Sequence, residues 1–274
     1  MKIAILYICT GRYDVFWTQF YKTAEIYLCP NVEKHYFVFT DSDNIKTENN
    51  IHKIYQAPMG WPNDTLMRFH LFDSIKTELL NFDAVYFFNA NYAFITPIQY
   101  NEIKPLAENN NLIGQHHPVA YHFRRKQFKY EANPISTAYI APNEGVYYLA
   151  GGLIGGATKE FLDMCLVLKN NIDKDTENNV LAICHDESHI NRYFVDFPPR
   201  ILHPGYCYPQ DWYLPFPKKT LLRDKSLLGG HNFLRGDNAD NFSAGIKYKV
   251  HAWLFKIKLY IRALNYKLFG FSYI

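Results

Sequence analysis

The 274 residues predict an α/β fold in which an open, Rossmann-like mixed sheet is flanked by helices. Three observations carry this expectation. Residues 3–9 and 84–88 are continuous apolar runs, the pattern of strands covered on both faces; a half-exposed strand would alternate. The first run opens a strand–helix–strand unit, which calls for parallel pairing and a ligand at the carboxyl ends of the strands. Hydrophobic residues make up 48% of the chain, with 22 tyrosines and 21 phenylalanines, enough apolar volume to cover both faces of such a sheet.

The first strand, 3–9, is broken by Thr10-Gly11-Arg12-Tyr13. Asp14 is placed to cap a helix over 15–28 that turns Phe16, Phe20, Ala24 and Tyr27 to one side, and Pro30-Asn31 stops it. Strands are expected at 35–40, closed by Asp41-Ser42-Asp43, and at 51–56. The turn at 10–13 lacks the G-x-G-x-x-G spacing of a dinucleotide loop, but a base could still stack on Tyr13. Trp61-Pro62-Asn63-Asp64-Thr65 leads into a helix over 65–80. Arg68 falls on its first turn, where it either meets an anion together with the helix dipole or pairs at the surface with Asp64 or Asp73.

The strand 84–88 ends in Asn89-Ala90-Asn91, whose two amides are expected on the same side of the strand end. Two carboxylates there would hold a divalent cation. Amides carry no charge; they suit hydroxyls and phosphate oxygens instead. A strand at 111–114 and an aromatic, basic stretch from Tyr121 to Tyr130 follow. In Gly151-Gly152 and Gly155-Gly156 the missing side chains let the backbone approach a ligand closely. Thr158 is expected to cap a helix to about residue 170, with a second helix over 173–182 and an ordered loop over 197–217. Residues 227–235 close a catalytic domain of 1–240, leaving 241–274 as a basic tail.

The balance of charge and cysteine excludes several classes. A net charge of +3 is too small for a nucleic-acid partner. Cys9, Cys29, Cys165, Cys184 and Cys207 are odd in number and contain no C-x-x-C pair, which argues against a disulfide framework and for reduced thiols in a cytosolic compartment. The apolar run after Lys2 is too short for a secretory signal, and no stretch is long enough to span a bilayer.

His185-Asp186-Glu187-Ser188-His189 concentrates the ionisable groups. On these residues alone three readings stand. His185 and His189 share a helical face, as zinc ligands would; Asp186 could cap a helix; or the carboxylate pair could serve general-base or nucleophilic chemistry.

Taken together, the motifs resemble the family 6 glycosyltransferases, the family of the blood-group A and B transferases and the α1,3-galactosyltransferase, in its bacterial metal-independent branch. The resemblance runs from Ile5 to Arg235. It rests on Gly11-Arg12-Tyr13, residues 35–41, Trp61 to Arg68, His117-Pro118, Tyr130-Glu131 with Ala138-Tyr139-Ile140, Glu144-Gly145 with Gly155-Gly156, and above all His185-Asp186-Glu187-Ser188-His189-Ile190-Asn191. It implies a GT-A-type fold and transfer of Gal or GalNAc from a UDP-sugar to the 3-hydroxyl of a β-galactoside, with or without an α1,2-fucose, and with retention of configuration.

By the motif match, Ile8, Thr10 and Tyr13 hold the uridine, and Arg68 holds the donor sugar and diphosphate. Asp186 binds donor hydroxyls, and Glu187 is the catalytic carboxylate, as nucleophile or as stabiliser of the oxocarbenium-like state. Arg235, with Lys225 as a weaker partner, folds over the diphosphate. Ala150, Gly151 and Gly152 line the donor, and Gly152 leaves room for an N-acetyl group, which favours UDP-GalNAc over UDP-galactose. His117, Thr137, Cys184, Tyr208 and Trp212 form the acceptor side; Cys184 stands where the family has tryptophan. Asn89 and Asn91 replace the family's Asp-x-Asp, as in its metal-independent bacterial members, so no divalent metal is expected as cofactor. A rival is a carbohydrate-binding relative that has lost turnover.

The expected setting is the bacterial cytoplasm, in lipopolysaccharide synthesis, with peripheral contact to the inner membrane. That contact is assigned to the tail, which has six basic and no acidic residues. There Val250, Trp253, Leu254, Ile257, Ile261, Leu264 and Leu268 recur at helical spacing among Lys and Arg, as in an interfacial helix on an anionic bilayer; a terminal helix packed on the domain is the alternative.

Overall fold

A computed structural model of the chain describes residues 1–236 and 246–269. The described residues form nine strands and nine α-helices. In chain order the elements are β1 (Lys2–Ile8), α1 (Trp17–Tyr27), β2 (Glu33–Thr40), β3 (Ile51–Tyr55), α2 (Asn63–Leu66), α3 (Arg68–Ser74), α4 (Lys76–Leu79), β4 (Ala84–Phe88) and β5 (Tyr92–Phe94). They continue with α5 (Tyr100–Ile103), β6 (Leu112–His116), β7 (Leu149–Ala157), α6 (Thr158–Glu177), α7 (Asp186–Asp196), β8 (Arg200–Leu202), β9 (Thr220–Leu222), α8 (Gly230–Arg235) and α9 (Ile246–Phe269).

Seven strands form one sheet in the order β3-β2-β1-β4-β7-β6-β8, and β5 pairs antiparallel with β9 beside it. The pairs β3–β2, β2–β1, β1–β4 and β6–β8 are parallel; β7 runs antiparallel to both of its neighbours. The reversal matters for the site. The start of β7 lies at the same sheet edge as the carboxyl ends of β1, β4 and β6, so Ile8, Asn89, His116 and Gly151 converge there. This is the mixed α/β architecture of a GT-A-type fold.

The two faces of the sheet are covered separately. On one, Tyr7, Phe88 and Tyr86 pack with Phe20 and Ala24 of α1. On the other, Leu6, Phe87 and Phe39 pack with Phe69 and Phe72 of α3 and with Phe161, Met164 and Leu168 of α6. Each buried phenylalanine contributes on the order of 1.5–3 kcal/mol. The continuous apolar runs are explained by this double cover: β1 is buried from Ile3 to Tyr7 and β4 throughout.

Several local expectations are corrected. Asp14 caps nothing; its carboxylate accepts from Ser42 Oγ and Asn44 Nδ2, and a 3₁₀ turn precedes α1. Thr158 is not a cap either, because its hydroxyl donates to Phe82 O at 2.6 Å. The helix expected over 65–80 is three short ones, α2 to α4, interrupted at Met67 and Ile75. The separate helix at 173–182 does not exist; α6 runs unbroken to Glu177 and 180–185 is irregular. The loop 197–217 contains β8.

The two glycine pairs also divide. Gly151 and Gly152 face the site. Gly155 and Gly156 serve the sheet: a Cβ on Gly155 would lie 2.5 Å from the Tyr86 ring, and one on Gly156 2.7 Å from Asn111 O. The boundary expected at 240 falls in 237–245, outside the described residues.

Candidate active site

Two adjoining cavities open at the sheet edge. The first, of about 250 Å³, is lined by Ile8, Thr10 and Tyr13 at the end of β1 and just beyond it, by Trp61, Asp64, Thr65 and Arg68 around α2 and the start of α3, by Phe87, Asn89 and Ala90 at the end of β4, and by Lys225, His231 and Arg235. The second, of about 330 Å³, is lined by Gly151 and Gly152 of β7 and by Ile183 to Glu187. Both share Trp61, Thr65, Arg68 and Asn89, so Arg68 and Asn89 stand where they meet.

Arg68 is no surface residue. Its side chain is 5% exposed and held at each nitrogen: Nε donates to Thr65 O at 3.1 Å, Nη1 to Gly151 O at 2.7 Å, and Nη2 lies 3.0 Å from Asp186 Oδ2. The guanidinium also sits 4.5 Å above the Phe87 ring. Asp64 and Asp73, the alternative partners, are taken by Met59 N and by Lys169.

The carboxylates stand on the first turn of α7. His185, just before it, adopts φ 51° and ψ −126°, a conformation rare outside glycine. That kink turns Asp186 and Glu187 toward the cavity, and the His185 ring meets Trp61 edge-on at 4.8 Å. Asp186 is the first helical residue, so it is not the cap. Burial raises its pKa to about 6, against the opposing pull of Arg68. Glu187 is held by both oxygens: Oε1 accepts from Tyr148 OH at 2.8 Å and Oε2 from Gly151 N at 2.9 Å. Burial raises its pKa as well, while those two donors favour the charge.

Facing them are cations. Lys225 lies 5.2 Å from the centre of the Tyr13 ring, and Arg235 lies 4.1 Å from that of Trp61. Desolvation, then Arg235 and Arg68, lower the Lys225 pKa to about 8. Desolvation, then Lys225 and Arg235, bring His231 to about 4. Positive charge crowded around an open cavity is an arrangement that an anion relieves.

The two asparagines part company. Asn89 donates its backbone N–H to Gly152 O and lines both cavities. Asn91 does not point into the site. It is 8% exposed, and its amide donates to Arg223 O at 2.9 Å, fastening β4 to the segment after β9. At this strand end only the Asn89 side chain is thus left to face the cavities. Among the described residues no group of three or more His, Cys, Asp or Glu side chains is placed to hold a metal ion; the zinc reading of His185 and His189 has no partner set, and His189 instead approaches Asp175 at 3.7 Å.

On the acceptor side the structure assembles part of what the sequence proposed. His117 sits against Tyr148, with ring centres 5.7 Å apart, one side chain away from Glu187. Cys184 lines the second cavity. Thr137 does not, because its N–H and hydroxyl are bound to Asp175 and to Asn171 O on α6. Tyr208 is buried, its hydroxyl bonded to the Leu214 backbone, and Trp212 packs on Phe255 of α9. Ala150 pairs with Gln115 inside the sheet, off the cavity wall. Sequence reasoning missed Tyr148, Trp61 and His231 as site residues. The aromatic Tyr147-Tyr148 just before the glycines and the histidine after Gly229-Gly230 were the available signals.

The chain is similar to known proteins over most of its length. The family profile described as Glycosyltransferase family 6 matches residues 1–235. The O-antigen biosynthesis glycosyltransferase WbnI of Escherichia coli is 32% identical over 228 residues, 82% of this chain and 95% of that protein. Histo-blood group ABO system transferase 1 of Rattus norvegicus is 26% identical, with 76% and 61% covered. Globoside alpha-1,3-N-acetylgalactosaminyltransferase 1 of Homo sapiens is 24% identical, with 83% and 66% covered. The match thus spans nearly all of the bacterial relative and less than two thirds of these mammalian ones. The chain belongs to glycosyltransferase family 6.

Proposed function

We propose that the protein transfers N-acetylgalactosamine from UDP-GalNAc to the 3-hydroxyl of a β-galactoside, with retention of the α configuration and without a divalent metal, in the synthesis of a bacterial O-antigen. The observation that carries this is a carboxylate pair and a cluster of cations flanking two cavities that join at Arg68 and Asn89.

In this reading the uridine lies on Tyr13 in the first cavity and the hexose occupies the second, so the diphosphate falls at their junction. Arg68, Lys225 and Arg235 supply the positive charge that a metal would otherwise bring to the leaving diphosphate, and the Asn89 amide donates to its oxygens. Asp186, held by Arg68, accepts from donor-sugar hydroxyls. Glu187, fixed by Tyr148 and Gly151, opposes the positive charge that grows at the anomeric carbon as the bond to UDP breaks. The acceptor enters beside His117, its 3-hydroxyl oxygen bonds the anomeric carbon, and its proton passes to the departing diphosphate.

Gly152 supports the donor choice. A Cβ there would lie 3.2 Å from Asn89 Nδ2 and 3.3 Å from Tyr92 OH, so glycine keeps that wall open for an N-acetyl group. The test is a donor screen in EDTA with plain and 2-fucosylated β-galactosides, the product linkage read by NMR. An α1,3-linked GalNAc product is expected. A preference for UDP-galactose replaces the donor, and UDP binding without turnover on any acceptor replaces the enzyme with a carbohydrate-binding relative.

A further inference from the structure

The helix α9 carries two apolar faces. Phe255, Leu259, Ala263 and Tyr266 form the inner one: Leu259 and Ala263 are fully buried, Phe255 meets Trp212 at 5.1 Å, and Tyr266 meets Tyr121 at 5.5 Å and Phe216 at 5.4 Å. Trp253, Ile257, Ile261, Leu264 and Leu268 recur at the same spacing two residues earlier, a rotation of about 200°. That second stripe points away from the domain: Trp253 is 62% exposed, Ile261 50% and Leu268 71%. Of the apolar stripe expected for the tail, Val250 lies outside the described side chains.

One docked face is all that a packed terminal helix needs, so the outer stripe requires another partner. Its surroundings indicate which. Lys258 flanks the stripe on one side and Lys256 on the other, each roughly a quarter-turn away, while Lys267 turns back to the domain, its Nζ 3.0 Å from the Tyr213 hydroxyl. From residue 241 to the C-terminus the chain has no acidic residue. No helix among the described residues is long and apolar enough to cross a membrane. An apolar stripe rimmed by lysines matches the boundary of an anionic bilayer, where the rings and branched chains enter the acyl region and the lysines reach the headgroups.

We propose that the outer face of α9 docks the protein on an anionic phospholipid surface. The inner face places that surface next to the acceptor side of the site, because α9 packs on Tyr121, four residues past His117. An acceptor glycan carried on a lipid is thereby held close to the second cavity. The surface contact itself is independent of the transfer chemistry; the choice of a lipid-borne acceptor rests on it.

The test is co-sedimentation of the full chain with vesicles of phosphatidylglycerol and phosphatidylcholine in equal parts, against phosphatidylcholine alone. Binding to the anionic vesicles and its loss at high salt are expected. The stripe variant Trp253→Ser/Leu264→Ser/Leu268→Ser and the charge variant Lys256→Glu/Lys258→Glu should each weaken binding about tenfold or more. Both should transfer sugar to a soluble acceptor at the unmodified rate, which separates this proposal from the transfer reading. Equal partitioning on both vesicle types, or stripe variants that bind as before, overturns it. So does an unmodified chain that is dimeric by light scattering, ignores vesicles and becomes monomeric in the stripe variant, since the face then serves a second copy.

Discussion

Asp186 and Glu187 enter the cavity already held, by Arg68 on one and by Tyr148 and Gly151 on the other, whereas Lys225 and Arg235 on the facing wall lie over the rings of Tyr13 and Trp61. The carboxylate wall is wired into α3, β7 and α7 before any ligand arrives. The cationic wall comes from the short elements after β9 that fold across the opening. A pre-organised wall acts on the reacting carbon, where misplacement is costly. A wall of cations set over aromatic rings acts on a diphosphate that must enter and leave. Substitutions on the first should therefore strike turnover and folding together, and those on the second should strike donor affinity.

The largest effect is expected at Glu187. Glu187→Gln keeps the shape and removes the charge, and kcat should fall roughly 10²–10³-fold with the donor Kd nearly unchanged. Arg68→Ala comes next: it strands the buried Asp186 and should lower stability by about 3–5 kcal/mol in denaturant unfolding. Adding Asp186→Asn should restore much of that stability and none of the activity. Lys225→Ala should raise the donor Kd about tenfold by calorimetry and leave the melting temperature near its original value.

A smaller effect is expected from pH. The Asp186 pKa of about 6 lies above its ordinary 3.8. Its ionised form therefore costs folding energy, on the order of 3 kcal/mol, above pH 6, and that cost is relieved as the pH falls through 6 toward 4. Donor binding should weaken over the same interval as the Arg68–Asp186 pair loses its charge. A kcat/KM profile falling below pH 6, without a drop in stability traceable to Asp186, is the expected pattern. Smallest is Asn91→Ala, which should cost about 1 kcal/mol of stability and alter kinetics less than twofold; Asn89→Ala should instead weaken donor binding.

That last contrast also shows what the sequence could reveal. Two asparagines one residue apart look equivalent, and only the fold separates them, because the partner of Asn91 is Arg223, 132 residues away. Tyr208, Trp212 and Thr137 meet partners that the sequence does not show for the same reason: these lie in a local turn, α9 and α6, and burial there leaves no mark in composition. The strands of the sheet were legible because cover on both faces forces unbroken apolar runs. The carboxylate pair was legible because both members sit on one helical turn. Helix ends were least legible: Asp14 and Thr158 are good capping types that the tertiary structure uses elsewhere.

In the proposed reaction the Asn89 amide and basic side chains do the work of a metal at the donor diphosphate. The most direct measurement is the steady-state rate of transfer from UDP-GalNAc to a β-galactoside by protein stripped with EDTA, with and without added Mn²⁺ or Mg²⁺. The account predicts equal rates in all three conditions. A rate that vanishes in EDTA and returns with the metal would contradict it.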